Sequence, residues 1–512
     1  MQQSPNSRFV ILLVSISLCT VSGCTSGDAP QPQGYTSAID GFPADIECRG
    51  VEVNAAVDLG AEVAEKPNGT TFCLAAGTFR ISAPLVLKQG QKLIGVGDGD
   101  TVISGATTVS ATKEGSYWVI TGQTSLGTSG SGSLADCVPV EGKDPGSMCI
   151  YRDQVFLDDR SLWQVGSLGE VSSGEFFWDY GTNKIYLADD PSGRQLELSV
   201  ATAGLSGGSG VELWNLVVER FGNEARGGAI AASSDWLIMG VEARLNHGGG
   251  IRMGPGTVVR ASFVHHNGQL GIVGGQVSCS RAKGLVLANS ELSYNNAAGY
   301  NYGWEGGATK WTHTDGLIAR NNYVHDNYGS GLWTDGPNIN VVFEGNRVED
   351  NDSSGISHEL GYAAVIRDNV VRGNGFGHPI QGDVWGAGIR IATSRDVEVY
   401  GNTVEDNAAG ITATQDDRSG DQCGFGADAE VANLYVHDNT VVQPAGIAAG
   451  LRLVGTDDSS YQESRGNRWN GNTYVVGDPS GGEHFFWGES PINAVQWQGL
   501  GEDVDGSVED IG

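Results

Sequence analysis

Two short stretches set carboxylates where they could act on one bond. SerGlyLeuTrpThrAspGly carries Asp335, and GlyIleSerHisGlu carries Glu359, 24 residues later. Both read as strands opened by a glycine, so positions one and three after it should point inward and positions two and four outward. That turns Trp333 and Asp335 outward on one strand and Ser357 and Glu359 on the other, while GlyIleArgIleAla adds Arg390. Counted from Gly306, GlyGlyAlaThrLysTrp places Lys310 at the fourth position, in a predicted column with Asp335 and Glu359, with Trp333 and Arg390 beside it. If these strands are neighbours in a stacked sheet they lie about 4.8 Å apart. Carboxyl groups about 5 Å apart are the arrangement of retaining glycosidic chemistry. One attacks the anomeric carbon; the other gives, then takes back, a proton. Mutual repulsion is expected to raise one carboxyl's pKa, Lys310 or Arg390 to hold the other ionised, and Trp333 to offer its face to a sugar ring. The plainer expectation, outward carboxylates merely tolerated in water, is weighed against this one.

The elements that must position these residues announce themselves by repetition. ArgAsnAsnTyrValHisAspAsn ends at Asn327, GlyAsnArgValGluAspAsn at Asn351, ArgAspAsnValValArgGlyAsn at Asn374 and GlyAsnThrValGluAspAsn at Asn407. The first Asn of each copy falls at 289, 322, 346, 369, 402 and 439, with tightest intervals of 24 and 23 residues. A period in this range marks a solenoid. The short alternating runs inside it, ValValPheGluGly and AspValGluValTyr, are strand-like. A second strand in each period opens on Gly250, Gly331, Gly355, Gly388, Gly410 or Gly450, and the recurrent Asn is expected to stack coil on coil.

This text resembles the right-handed parallel β-helix of the pectate-lyase-like superfamily, which implies an all-β solenoid over most of the mature chain. The TrpThrAsp at 333–335 followed by Glu359 resembles β-helix glycoside hydrolases, particularly the β-xylosidase-type family. That resemblance covers about three coils. It implies Asp335 as nucleophile and Glu359 as acid/base, with no cofactor. The same column admits a lyase, with Lys310 or Arg390 as base and Ca²⁺ held by Asp335 and Glu359, and also a non-catalytic polysaccharide-binding solenoid. Glu305, His313, Asp315, His358, His378 and Asp383 fall near the same face, His358 at an inward position. The binding set is read as Trp333, Glu305, His313, His378 and Asp383; HisProIleGlnGlyAsp at 378–383 and GlnAspAsp at 415–417 are expected to wall a cleft.

At the amino end, Arg8, an apolar run from Phe9 to Leu18 and ValSerGlyCys at 21–24 have a signal peptide's layout. The ending resembles the bacterial lipobox, with Cys24 as the lipidated residue. The expectation is an exported, lipid-anchored monomer acting on polysaccharide. Its parts are a leader (1–23), linker (24–45), cap and first coils (46–105), β-rich insertion (106–205), main solenoid (206–480) and C-terminal cap or tail (481–512). A short helix around Val51–Ala64 is expected to cap the open first coil. Export permits disulfides; Cys48 with Cys73 and Cys137 with Cys149 are near enough in sequence to pair, whereas a pairing of Cys279 with Cys423 is open. None has zinc-ligand spacing. A net charge of −31 argues against nucleic acid and anionic lipid as charge partners. It also counts mildly against a polyanionic substrate unless a cation bridges the two.

Overall fold

The corner dipeptides of the repeat decide where the chain bends. In Gly345–Asn346, Asp368–Asn369, Gly401–Asn402 and Asp438–Asn439 the first residue is left-handed, with φ of 62°, 56°, 65° and 52°. Gly, Asp and Asn tolerate that conformation best. The second residue turns its amide into the wall and donates to the next one along. The chain of amides runs Asn322, Asn346, Asn369, Asn402, Asn439, Asn472, with rungs of 2.8–2.9 Å, and ends on the Asp503 carboxylate at 2.7 Å. A second ladder joins Asn246, Asn267, Asn295, Asn327, Asn351, Asn374 and Asn407. Asn289 is not a rung: it takes the left-handed corner (φ 49°), and Ser290 takes the rung, its N–H donating to Asn322 Oδ1 at 3.0 Å. The sequence rule fails there because Asn suits both positions.

The computed structural model describes residues 46–129, 137–140, 143, 148–276, 279–377, 384–418, 423, 428–456 and 458–512, all within the unit Ile39–Gly512. Cys24, the leader, the linker, His378 and Asp383 lie outside the described residues. Among the described residues three long sheets are built from successive coils in parallel register, apart from one antiparallel pair at the far end of the second: a first of 15 strands that begins at Val51–Val53, a second of 13 that begins at Leu85–Leu87 and a third of 13 that begins at Gly77–Arg80. This is the right-handed parallel β-helix expected from the repeat. Inward Val, Ile and Leu side chains such as Val324, Val348, Ile356 and Ile389 form one continuous core. No helix among the described residues is long and apolar enough to cross a membrane.

At the open first coil, Val51–Val53 is a strand paired in parallel with Thr71–Leu74, and the helix is confined to Leu59–Glu65. The expected helix was too long because alternating β-branched residues favour pairing and Asp58, accepting from Ala61 N, starts the helix only there. Leu59 and Val63 enter the core. At the far end, Asp503 also accepts from Tyr474 and Trp497 at 2.8 and 3.0 Å, closing the last coil beneath Ala494–Gly499.

Between Ala106 and Ser199 the chain leaves the solenoid to form a four-stranded and a five-stranded sheet. Their core of Phe176, Trp178, Ile185 and Leu187 extends to Ala298 and Tyr300 of a solenoid loop and packs against Trp304. Disulfides join Cys48–Cys73, Cys137–Cys149 and Cys279–Cys423. The third links loops that leave second-sheet strands Leu270–Gly275 and Ala409–Gln415, five coils apart, a span of about 24 Å at about 4.8 Å per strand.

Candidate active site

Register on the second sheet sorts the outward side chains into two files. Thr334 pairs with His358, so the next residues, Asp335 and Glu359, stand on adjacent coils as the sequence pattern required. Lys310 is in the neighbouring file. Trp311 pairs with Thr334, so Lys310 is opposite Trp333, and the file continues to Ser357 and Arg390. The equivalent of Gly331 is therefore Ala308, not Gly306, and counting from Gly306 shifted Lys310 by two residues. Gly450 is likewise two residues out of line, since it pairs with Thr412 and not with Gly410.

Side-chain reach reunites the groups that register separates. Lys310 Nζ lies 2.8 Å from Asp335 Oδ2 and 3.8 Å from Glu305 Oε1, donates to the Trp304 carbonyl at 2.7 Å and sits 3.8 Å from the Trp333 ring centroid. Trp333 is 6% exposed and its Nε1–H faces Glu359 at 3.3 Å. Its ring is thus taken by the lysine and not free for a sugar, a correction to the expected stacking role. Arg418 Nη2 approaches Glu359 at 2.6 Å and Arg390 Nη1 at 3.3 Å. Burial by itself would raise the Glu359 pKa, but the charges of Arg390, Arg418 and Lys310 outweigh it and hold this carboxyl at about 2. The expectation that mutual repulsion would raise a carboxyl pKa does not hold for Glu359.

A cleft of about 550 Å³ opens over these residues. Asp335, with 26% of its side chain exposed, and half-buried Trp304, Trp385 and His313 line it. Asn301 caps the short helix Tyr302–Glu305 that presents Trp304 and Glu305. The core of the β-rich insertion packs against Trp304. His313 is pushed toward its neutral form by burial, against the Asp335 charge. His358 points inward, donating to or accepting from Thr334 Oγ1 at 2.8 Å, and burial holds its pKa at about 4. Asp315 belongs to the first sheet, where it binds Asn340 at 2.9 Å. Asp416 accepts from Thr393 Oγ1 at 2.9 Å and pairs with Arg418 at 2.7 Å.

Calcium does not fit this donor set. Asp335 and Glu359 each already face a cation at hydrogen-bond distance, and no group of three or more His, Cys, Asp or Glu among the described residues could hold a metal. Nor does Arg390 suit the role of base: it is 3% exposed, and Trp385 lies over its guanidinium at 3.8 Å.

Among the charged residues and tryptophans of the cleft, five escaped the sequence reading: Arg226, Arg252, Trp304, Trp385 and Arg418. Arg252 had a signal, since GlyIleArg at 250–252 repeats GlyIleArg at 388–390. The others sit at strand-free positions whose place no period fixes.

A family profile described as right handed beta helix region matches residues 226–404. The chain is a right-handed parallel β-helix. Among solved structures, the complex of XylC with xylose superposes with a TM-score of 0.66 at 13% identity, covering 90% of this chain and 86% of that one. The A-module of the Azotobacter vinelandii mannuronan C-5 epimerase AlgE6 gives 0.43 at 14% identity, covering 90% and 94%. The periplasmic alginate epimerase AlgG gives 0.42 at 13%, covering 85% and 84%. At these identities the XylC likeness is one of fold. No curated protein matches the sequence.

Proposed function

We propose that the chain is a retaining glycoside hydrolase whose bond-cleaving pair is Asp335 and Glu359. The observation that carries this is their place one coil apart on the floor of an aromatic-walled cleft. The stacking distance of about 4.8 Å matches the separation retaining chemistry uses. Asp335, oriented by Lys310, attacks the anomeric carbon as the glycosidic C–O bond breaks, and the leaving oxygen takes a proton from Glu359. In the second step Glu359 takes a proton from water, whose oxygen displaces Asp335 from the anomeric carbon. Drawing Arg418 away from Glu359 makes its protonation easier, since that guanidinium makes the shorter of the two arginine contacts that hold the carboxyl ionised. Arg418 is suited to move: its side chain is 42% exposed and lies beyond the strand Ala409–Gln415, whereas Arg390 is fixed in the sheet. Export through the amino-terminal leader and tethering at Cys24 would set the enzyme at the cell envelope, a reading tested by lipid labelling of wild type and Cys24→Ser.

The test is a polysaccharide panel with wild type, Asp335→Asn and Glu359→Gln, following reducing ends together with the ultraviolet absorbance of unsaturated products, with and without EDTA. New reducing ends without absorbance, lost in either variant and indifferent to EDTA, support the hydrolase. Absorbance that EDTA abolishes makes the protein a metal-dependent lyase. Activity indifferent to both substitutions removes the pair from the chemistry.

A further inference from the structure

The cleft inverts the charge of the chain that builds it. The sequence has 61 Asp and Glu against 30 Lys and Arg, yet the charged lining of the cleft is five cations, Arg226, Arg252, Lys310, Arg390 and Arg418, against Glu305, Asp335 and Glu359. Chance sampling of such a surface would give the opposite sign.

Three of the five stand in one file along the helix axis. Arg252 pairs with Val273 and Val273 with Lys310; Lys310 is opposite Trp333, which pairs with Ser357, and Ser357 with Arg390. Arg252 is thus two coils before Lys310, about 10 Å, and five before Arg390, about 24 Å. A file of that length matches several sugar residues laid along the groove, not one sugar in a pocket.

Not all of these cations are used up by the protein. Lys310 is engaged with Asp335, Arg390 with Glu359, and Arg418 with Glu359 and Asp416. Arg252, half-buried, pairs with no carboxylate among the described residues: its guanidinium donates to the Arg226 carbonyl at 3.1 Å. Arg226 meets Glu305 at 2.7 Å and lies 4.2 Å over Trp304, with about half of its side chain exposed. Arg390, 3% exposed, keeps Nε and Nη2 without a hydrogen-bond partner among the described residues, although a buried N–H left unpaired is costly. A guanidinium fork matches a carboxylate or sulfate, and a cation-lined groove with low-dielectric walls gathers anions.

We infer that the substrate is an acidic saccharide chain lying along the helix axis, with one anionic group bound by Arg252 and Arg226 away from the cleaved bond. The inference rests on the reading of the cleft as a saccharide-cleaving site and names its substrate class. The protein's own arginines supply the cationic bridge that its overall acidity seemed to deny.

The experiment is binding to Asp335→Asn, so that cleavage does not intervene, using polygalacturonate, alginate, a sulfated galactan and neutral galactan and xylan at low and high salt. Tighter binding of the acidic chains, weakened by salt and reduced roughly tenfold by Arg252→Gln, is the expected result; a thermal melt of Arg252→Gln checks its fold. Comparing the uronate and sulfate arms identifies which anion is read. Equal or better binding of the neutral chains, or acidic binding untouched by Arg252→Gln, overturns the inference, as does the absence of binding to every probe. Acidic chains bound but never cleaved by wild type leave the anion site standing and sink the hydrolase. Neutral chains cleaved and acidic ones ignored do the reverse.

Discussion

The second and third sheets present outward faces of the same coils, and both are dense in charge, yet they are built to opposite ends. On the third sheet many of the charges meet a complement nearby. Glu219 and Glu242 bracket Arg244 at 2.8 and 2.7 Å, His325 lies between Asp326 and Glu291 at 2.7 and 3.2 Å, and Glu349 takes Arg347 and Arg372 at 2.7 and 2.9 Å. Rings stack in the same rows, Phe263 on His265 and Tyr323 on His325. The outcome is a ladder of local pairs. On the second sheet the neighbouring loops and the short helix Tyr302–Glu305 raise walls, and the floor carries more cation than the protein can pair. Stacked charge by itself is scaffolding; stacked charge under walls, with pairing left incomplete, is a site.

The largest break in that comparison is Asp335→Asn. It should reduce cleavage by about a thousandfold or more while costing less stability than Glu359→Gln, because Lys310 keeps the Trp304 carbonyl at 2.7 Å and Glu305 at 3.8 Å. A matching change on the third sheet, Glu349→Gln, should leave turnover unchanged; if turnover falls comparably, the distinction between the faces is wrong.

Glu359→Gln is next, and here chemistry and stability part company. It abolishes turnover and also strands the buried Arg390 guanidinium, for an expected loss of about 3 kcal/mol in urea unfolding. The same carboxylate sets a pH dependence. Its folded pKa of about 2 lies below the ordinary 4.5, so its contribution is present above pH 4.5 and lost as pH falls toward 2. Glu359→Gln should flatten that part of the acid unfolding curve.

Asn369→Ala removes a rung, orphaning the Asn346 amide and the Phe343 carbonyl. A loss of about 1–3 kcal/mol is expected, with specific activity per folded molecule unchanged. His325 gives the opposite pH sign. Burial works against its charge, but Asp326 and Glu291 raise its pKa from 6.5 to about 9. Its contribution is therefore full below pH 6.5 and lost as pH rises through 9, on the order of 1–2 kcal/mol; His325→Gln should remove that alkaline slope without touching the acid one. The smallest effect expected is in Arg418→Gln, which should move the Glu359 titration upward and the acid limb of the rate profile with it, with little change in stability. An unmoved limb would mean that Arg418 has no hold on the proton.

What the sequence by itself determined is whatever follows from a period of two inside a period near 24. The spacing of the Asn residues required a stacked solenoid, and alternation turned Asp335 and Glu359 to one face on adjacent coils, since parallel register leaves no other choice. Where an insertion interrupts the count, register is no longer readable, and Lys310 and Gly450 were misplaced by two residues for that reason. Which groups touch was decided only in three dimensions. Lys310 covers Trp333 from one coil away, and Arg418 reaches back to Glu359 across 59 residues of chain. The disulfide Cys279–Cys423 closes a separation of 144. Those contacts fix the ionisation of Glu359 and the sign of the cleft, because electrostatics depends on distance through space and burial, and neither is written in local spacing.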